Sequence, residues 1–504
     1  MAESQTVHQL LDAGVDGDPA IVTPDGSILD RRSLRAEVAR LGQQLTSIGI
    51  GPGDRIAIVL PNGPEMAITF LAAATTGCAA PLNPKYREDE FRFYLDDLGA
   101  KVLVSLETGA ETARSAAGSS TRALTLKGTP GNLALDVPDA VPKTPTVAPA
   151  PSDIGLVLHT SGTTSRPKIV PIAQSNLARS ATNIALGLGL TAADRSLNVM
   201  PLFHIHGLLA GLLAPLSAGA SVVCTEGFDA FAFFRQLESF QPTYYTAVPT
   251  MHQMVLARAE RHRQAARNSS LRFIRSSSAS LPVPVLDELD DLFGVPVIEA
   301  YGMTEATHQM AANPLPPGIT KPGSVGLAAG IELAVLDNAN RQLGAGERGE
   351  VSIKGPTVIG GYENNPEANA AAFTAGWFRT GDEGYLDEDG YLYLTGRLKE
   401  QINRGGEKIS PLEVDEALLR HDSVAQAVTF AIPHDKLGEE VGAGVVLHDG
   451  ATATEREIRQ FVSETLASFK VPRTILFLDE LPKGATGKLQ RIGLAERLGL
   501  TSRR

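Results

Sequence analysis

Residues 159–171, HTSGTTSRPKIVP, gather Thr160, Ser161, Gly162, Thr163, Thr164 and Lys168 directly after the apolar run IGLVL. A strand that runs into small and hydroxylated residues can turn successive backbone N–H groups and side-chain hydroxyls toward one anion. Lys168 adds a formal charge, and charge-assisted hydrogen bonds to phosphate oxygens are about twice as strong as neutral ones. The spacing differs from G-x-x-x-x-G-K-[ST], which disfavours a P-loop nucleotidase. Taken alone, the segment also reads as a solvated Ser/Thr turn.

A second set of polar residues lies in greasier company. MPLFHIHGLLAGLL carries His204 and His206, LRFIRSSSASL carries Arg275 and a serine run, and EAYGMTEATHQM carries Glu305 and His308. A tunnel for a hydrocarbon chain would be lined by apolar and small side chains. Imidazoles, hydroxyls and a guanidinium suit a carboxylate instead. Each histidine by itself reads equally as a buried core residue. If the chain after Thr304 is helical, Glu305 and His308 share one face.

The elements that must position these residues follow an α/β rhythm. DRIAIVLP, GPEMAITFLAAATTG and KVLVS alternate strand, helix and strand, and the alternation resumes from Ile154 to about Arg397. YLDEDGYLYLTGR predicts a hairpin turning at Asp389-Gly390. After LKEQINRGGEKISP a fresh unit begins, with the helices LEVDEALLRH and EREIRQFVSETLASF and the strands VAQAVTFAIP and GAGVVLH. The expectation is a large N-terminal domain of α/β subdomains over 1–398 and a small mobile α+β C-terminal domain over 399–504.

Composition sets the outer bounds. A net charge of −12 gives no basic face of the kind nucleic-acid binding needs, so no nucleic acid is expected, and an anionic substrate must meet local positive groups. Cys78 and Cys224 lie among apolar or small residues and read as buried thiols. MAESQTVHQL lacks a secretory pattern, and GLLAGLLAPLSAGA is too short for a bilayer and broken by Pro215, so no integral membrane segment and a cytoplasmic setting are expected.

TSGTTSRPK, YGMTE (301–305), TGD (380–382), GRLKEQINRGGEKISPLEVD (396–415) and PKGATGK (482–488) together resemble the acyl-adenylate-forming superfamily, in its order and at its separations. The resemblance covers about residue 150 to the end. It implies an AMP-forming acid–thiol ligase that uses ATP, Mg²⁺ and CoA. It assigns ATP binding to the 160–164 loop, to Lys168, to Ser278, Ala279 and Ser280, to Glu299, Ala300, Tyr301 and Thr304, and to Asp382 and Arg397. Glu305 is then the magnesium ligand. Lys488 contacts the substrate carboxylate and α-phosphate during adenylation, and His204 lies beside the acyl carboxylate. Lys399 is the hinge, and Gly405 and Gly406 line the path of the CoA pantetheine. One residue departs from the pattern: Ile169 follows the lysine where glycine is usual. A β-branched residue is compatible with an extended backbone there, and KIVPI reads as a strand.

PLFHIHGLLAGLL, TAVPTMHQ, LRFIRSSSASL, EAYGMTEATHQM and NPLPPGITKPGSVG further resemble the oxalate–CoA ligase branch of that superfamily. This implies oxalate or another small polar acid, held by His206, Ser278, His308 and Arg275. The competing expectations are a medium- or long-chain fatty acyl-CoA synthetase and a stand-alone adenylating enzyme that loads a separate acyl carrier protein. A luciferase-like oxygenase has no sequence feature in its favour, and oligomeric state is not encoded in any of these motifs.

Overall fold

The structure is a computed structural model that describes residues 4–137, 147–160, 167–482 and 489–500. Four sheets organise it. A nine-stranded sheet runs, in spatial order, through the strands beginning at Leu327, His308, Val297, Phe273, Tyr244, Arg195, Ser221, Pro19 and Ile28. Its centre is parallel, with Ser196 opposite Tyr244, Thr246 opposite Arg275, and Arg275 opposite Ile298. A seven-stranded sheet contains Arg55–Val59, Cys78–Pro81, Val102–Ser105, Ile154–Thr160 and Lys168–Ala173. Parallel strands covered on both faces read as continuous apolar runs. Cys78–Pro81, Ser221–Cys224 and Tyr244–Ala247 are accordingly buried at every position. The helix Pro64–Thr76 starts with proline at its first turn, where a missing N–H costs nothing, and is buried nearly all round.

The hairpin expected at Asp389-Gly390 forms, joining Trp377–Leu386 to Leu392–Arg397 with Leu386 opposite Leu392. These strands belong to a five-stranded sheet with Glu332–Leu336 and Gly349–Lys354. Another five-stranded sheet combines Ile402–Arg404, Glu407–Ile409, Val424–His434, Gly438–Leu447 and Thr474–Phe477, with the helices Pro411–Leu419 and Glu455–Ser463. Lys399 lies in an exposed turn between Leu392–Arg397 and Ile402–Arg404, which pair into different sheets. Gly405 and Gly406, with φ of 62° and 96°, make the two-residue turn from Ile402–Arg404 to Glu407–Ile409. Both φ values are positive, as such hairpins require. The glycines are therefore accounted for by the turn itself.

Two expectations meet the structure differently. Ile169 is extended within Lys168–Ala173, opposite His159, and packs with Cys78, Leu82, Phe91 and Val157. The usual glycine is thus replaced by a core side chain. The helix considered after Thr304 does not form: Thr304–Ala306 is a single tight turn, and the strand His308–Ala312 begins at once. Gly302 explains the tightness, since a Cβ there would lie 1.9 Å from the His308 carbonyl oxygen. A helix would separate these backbones, whereas the hairpin demands their close approach.

Cys78 and Cys224 are both buried free thiols, and burial pushes each up to about 12. Among the described residues no helix is long and apolar enough to cross a membrane. Ile169→Gly should lower the thermal midpoint, because a deleted buried aliphatic side chain costs about 2 to 5 kcal/mol. The KM for ATP should be unchanged, as measured by initial rates, because the backbone at this position is already extended.

Candidate active site

The strand Ile154–Thr160 ends where the hydroxyl-rich loop begins, and Thr160 pairs with Lys168 across the ladder. Ser161, Gly162, Thr163 and Thr164 lie outside the described residues, as does Lys488. Lys168 is half-buried, with Nζ 4.2 Å above the Tyr362 ring. Burial lowers its pKa, Glu305 opposes that, and Lys399 adds repulsion. Glu305 is buried in the tight turn, and its Oε1 accepts the Tyr362 hydroxyl at 2.8 Å. Burial and the neighbouring Glu305 carboxylate raise the Tyr362 phenol, which keeps it a donor. Its backbone is tied in as well: the Glu305 carbonyl accepts from Ile359 N at 2.9 Å. Just below the loop, His159 Nε2 lies 3.0 Å from Asp97 Oδ2, both side chains nearly buried.

The TGD segment bends at Gly381, where φ is 76°. Asp382 is buried; its Oδ2 accepts from the Tyr301 hydroxyl, and its Oδ1 lies 3.0 Å from Arg397 Nε. Tyr301, Asp382 and Arg397 therefore meet, as the resemblance implied. Ala300 sits opposite Ser277, so the strand Val297–Met303 runs beside the segment that leads into Ser278, Ala279 and Ser280. Glu299 is placed differently from the expectation of a nucleotide contact. Its carboxylate accepts from the backbone N–H groups of Leu281 and Gly323, each at 3.2 Å, and burial pushes its pKa up to about 8. It opposes Ser276 and braces the 278–281 segment from behind.

His206 and His308 do come together, their rings stacked at 4.9 Å between centroids. The helix Ile205–Leu208 carries the first and the strand His308–Ala312 the second. Arg275, fully buried on Phe273–Ser277, reaches between them. Its Nη1 approaches His206 Nε2 at 3.3 Å and Thr246 Oγ1 at 3.1 Å; its Nη2 approaches His308 Nε2 at 3.3 Å and Gln309 Oε1 at 2.9 Å. His206 Nδ1 lies 3.0 Å from Ser278 Oγ, and Nε2 lies 2.6 Å from Thr246 Oγ1. Burial pushes the Arg275 pKa down to about 10. His204 immediately precedes the helix, half-buried against the Phe203 ring. Within its strand Arg275 faces the histidines.

Three partners escaped sequence reasoning. Thr246 was a polar residue in the otherwise apolar run YYTA, Gln309 adjoined His308, and Tyr362 followed Gly360-Gly361. Only Thr246 stood out by type. A further anchor is Arg491, just beyond the Lys488 loop. It meets Asp415 at 2.6 Å, Glu400 at 3.5 Å and the Thr429 carbonyl at 3.0 Å.

Buried Glu305 lies near half-buried Lys168, Tyr301 and Arg397 meet at Asp382, and the chain belongs to the AMP-binding enzyme family. Residues 13–363 match the AMP-binding enzyme description and residues 413–488 that of the AMP-binding enzyme C-terminal domain. Among individual proteins, the chain is 48% identical to the oxalate–CoA ligase of Arabidopsis thaliana over 92% of both chains. It is 42% identical to the oxalate–CoA ligase of Saccharomyces cerevisiae over 89% of this chain and 88% of that one. The solved structure of ATP-bound MatB from Rhodopseudomonas palustris superposes with a TM-score of 0.88 at 29% identity, covering 98% of each chain.

Tyr362→Phe would keep the ring under Lys168 and delete the donor to Glu305. A hydrogen bond to a charged group is worth about 1.5 to 3 kcal/mol, so kcat/KM for MgATP should fall roughly tenfold to a hundredfold. Steady-state kinetics at saturating acid and CoA would read this, and a thermal melt should show a lowered Tm, because the buried Glu305 carboxylate loses a donor in the folded chain.

Proposed function

We propose that this chain is an ATP-dependent, AMP-forming acid–CoA ligase whose acid is oxalate. The observation that carries the substrate is the buried set Arg275, His206, His308, Thr246 and Gln309, with Ser278 at its edge. A hydrocarbon chain offers the half-buried Ser278 hydroxyl at the edge of this set no hydrogen bond, and a polar group left unmet costs about 1 to 3 kcal/mol. A small acid with a second carboxylate would accept from it. Identity of 48% and 42% to two oxalate–CoA ligases supports the same acid.

In the first half-reaction a carboxylate oxygen of the acid attacks the α-phosphorus of ATP, and the bond to the β-phosphate oxygen breaks with loss of pyrophosphate. In the second, the CoA thiol attacks the acyl carbonyl, loses its proton and expels AMP. Lys168 and the loop beginning at Thr160 hold the phosphates, and Thr304 reaches the α-phosphate. Tyr301 lies against adenine beside Ala300 and the 278–280 segment. Asp382 and Arg397 hold the ribose. His204 stands by the reacting carboxylate, and Lys488 bridges it to the α-phosphate. Glu305 fits a magnesium ion, being a hard, buried carboxylate with one oxygen steadied by Tyr362. Among the described residues no cluster of three or more metal-binding side chains occurs, and magnesium is commonly held by one or two carboxylates plus substrate phosphates. A magnesium ion held by Glu305 would neutralise charge on the phosphoryl oxygens.

The two half-reactions place different demands on one site, because Lys488 must occupy space the thiol later needs. We infer that the unit from about residue 399 onward turns about Lys399 between them, bringing Gly405 and Gly406 to the pantetheine.

Pyrophosphate release with ATP, Mg²⁺ and CoA across oxalate, malonate, acetate, glyoxylate, octanoate and palmitate tests the substrate. A strong CoA-dependent preference for oxalate is expected; activity confined to octanoate or palmitate would overturn it. Lys488→Ala should slow adenylation by roughly 10² to 10³ fold, the scale for one preorganised donor, with thioester formation from preformed adenylate much less affected. Equal loss in both half-reactions would remove Lys488 from that role.

A further inference from the structure

Arg275 is a buried cation whose hydrogen bonds, among the described residues, all go to side chains other than carboxylates. Its sheet face offers no acid in register. Thr246 and Ile298 are its cross-strand partners, while Glu299 opposes Ser276 and so points to the other face. An unpaired buried charge is expensive, commonly several kcal/mol. Retaining one beside a substrate pocket calls for a functional explanation.

The donor pattern supplies it. A guanidinium has donors and no acceptor. The ring nitrogens it meets, Nε2 of His206 and Nε2 of His308, therefore present lone pairs, and each neutral ring carries its proton on Nδ1. Thr246 agrees with this assignment, accepting from Arg275 at 3.1 Å and donating to His206 Nε2 at 2.6 Å. His206 Nδ1–H then donates to Ser278 Oγ at 3.0 Å. With its oxygen accepting from behind, Ser278 directs its own hydrogen forward. Ser278 is half-buried where the other members are buried, so the relay leads outward from the interior.

Backbone strain marks the same residues independently. Ser278 has φ 75° and His308 has φ 89°. Non-glycine residues in such conformations cost on the order of 1 to 3 kcal/mol and persist where the surroundings impose them. Both ends of the Arg275 network are held this way.

We propose that Arg275 is a positioning residue for acid selectivity, fixing the Ser278 hydroxyl through His206 as a donor to the acid's second carboxylate and holding His308 in the matching tautomer. The proposal rests on the oxalate assignment above and adds how the second carboxylate is recognised. Arg275 also contributes a positive field that favours a dianion over a monocarboxylate. The titratable groups around the imidazoles are Arg275, the two rings themselves, His204 before the helix, Glu305 in the turn before His308, and the Tyr244 phenol, which burial keeps protonated.

The test compares kcat/KM for oxalate with that for the best monocarboxylate of the panel. It uses the wild-type chain, Arg275→Met, Ser278→Ala and the double variant, with a thermal melt of each. Each single substitution should lower the oxalate-to-monocarboxylate ratio about a hundredfold, the scale for losing one directed donor. The double variant should fall little further than the worse single one, because the two residues act in series. Equal losses with both acids or additive losses in the double variant would overturn the relay. Should Arg275→Met fail to fold, Ser278→Ala decides: an unchanged acid ratio overturns the proposal and a selective loss of oxalate supports it. A wild-type enzyme that does not prefer oxalate would instead remove the substrate assignment on which the proposal rests.

Discussion

A guanidinium enclosed in the middle of a sheet with no carboxylate beside it constrains everything around it. Arg275 has to be satisfied by neutral acceptors, and these arrive from three separate elements besides its own: His206 on Ile205–Leu208, Thr246 on Tyr244–Ala247, and His308 with Gln309 on His308–Ala312. The surrounding parallel sheet excludes water, which makes an unmet hydrogen bond costly and each correct one decisive. The cluster is therefore polar in its groups yet buried in its setting.

The nucleotide side solves the opposite problem. Glu305 is a buried carboxyl group, and it accepts from the Tyr362 hydroxyl near Lys168. The two halves are joined by one tight hairpin. Tyr301, Gly302 and Met303 end the incoming strand, Glu305 occupies the turn, and His308 starts the return, with φ of 52° at Thr307 and 89° at His308. The Glu305 carboxylate and the His308 imidazole are consequently fixed relative to each other by backbone geometry. Tyr301 extends the connection to Asp382, on a different sheet, so the placement of its ring depends on two sheets meeting.

A third connection concerns the C-terminal segment. Arg491 follows the Lys488 loop and binds Asp415 and Glu400, the latter next to Lys399. The segment carrying the proposed bridging lysine is thus tied to the proposed hinge by a side chain that burial alone would not place there. Asp415 is itself buried, and desolvation raises its pKa against the pull of Arg491. A charge pair withdrawn from water holds its geometry, because separating it leaves each ion uncompensated.

The sequence by itself determined the α/β class, the parallel strands, the Asp389-Gly390 hairpin, the anion loop ahead of Lys168 and the family of the chain. Those features are written in local periodicity, turn residues and contiguous motifs, which need no knowledge of distant contacts. It also named His206, Ser278, Arg275 and His308 as companions. It left the local path after Thr304 open, because a helix and a glycine-tightened hairpin share that residue pattern until the opposing backbone is known. Whether Arg275 faced the histidines, that Glu299 braces a loop, and that Thr246, Gln309 and Tyr362 complete the site were decided only by tertiary structure. Each depends on which face of a strand meets which neighbour, and that is set by sheet register between segments distant in sequence or by turns whose φ values no local motif encodes.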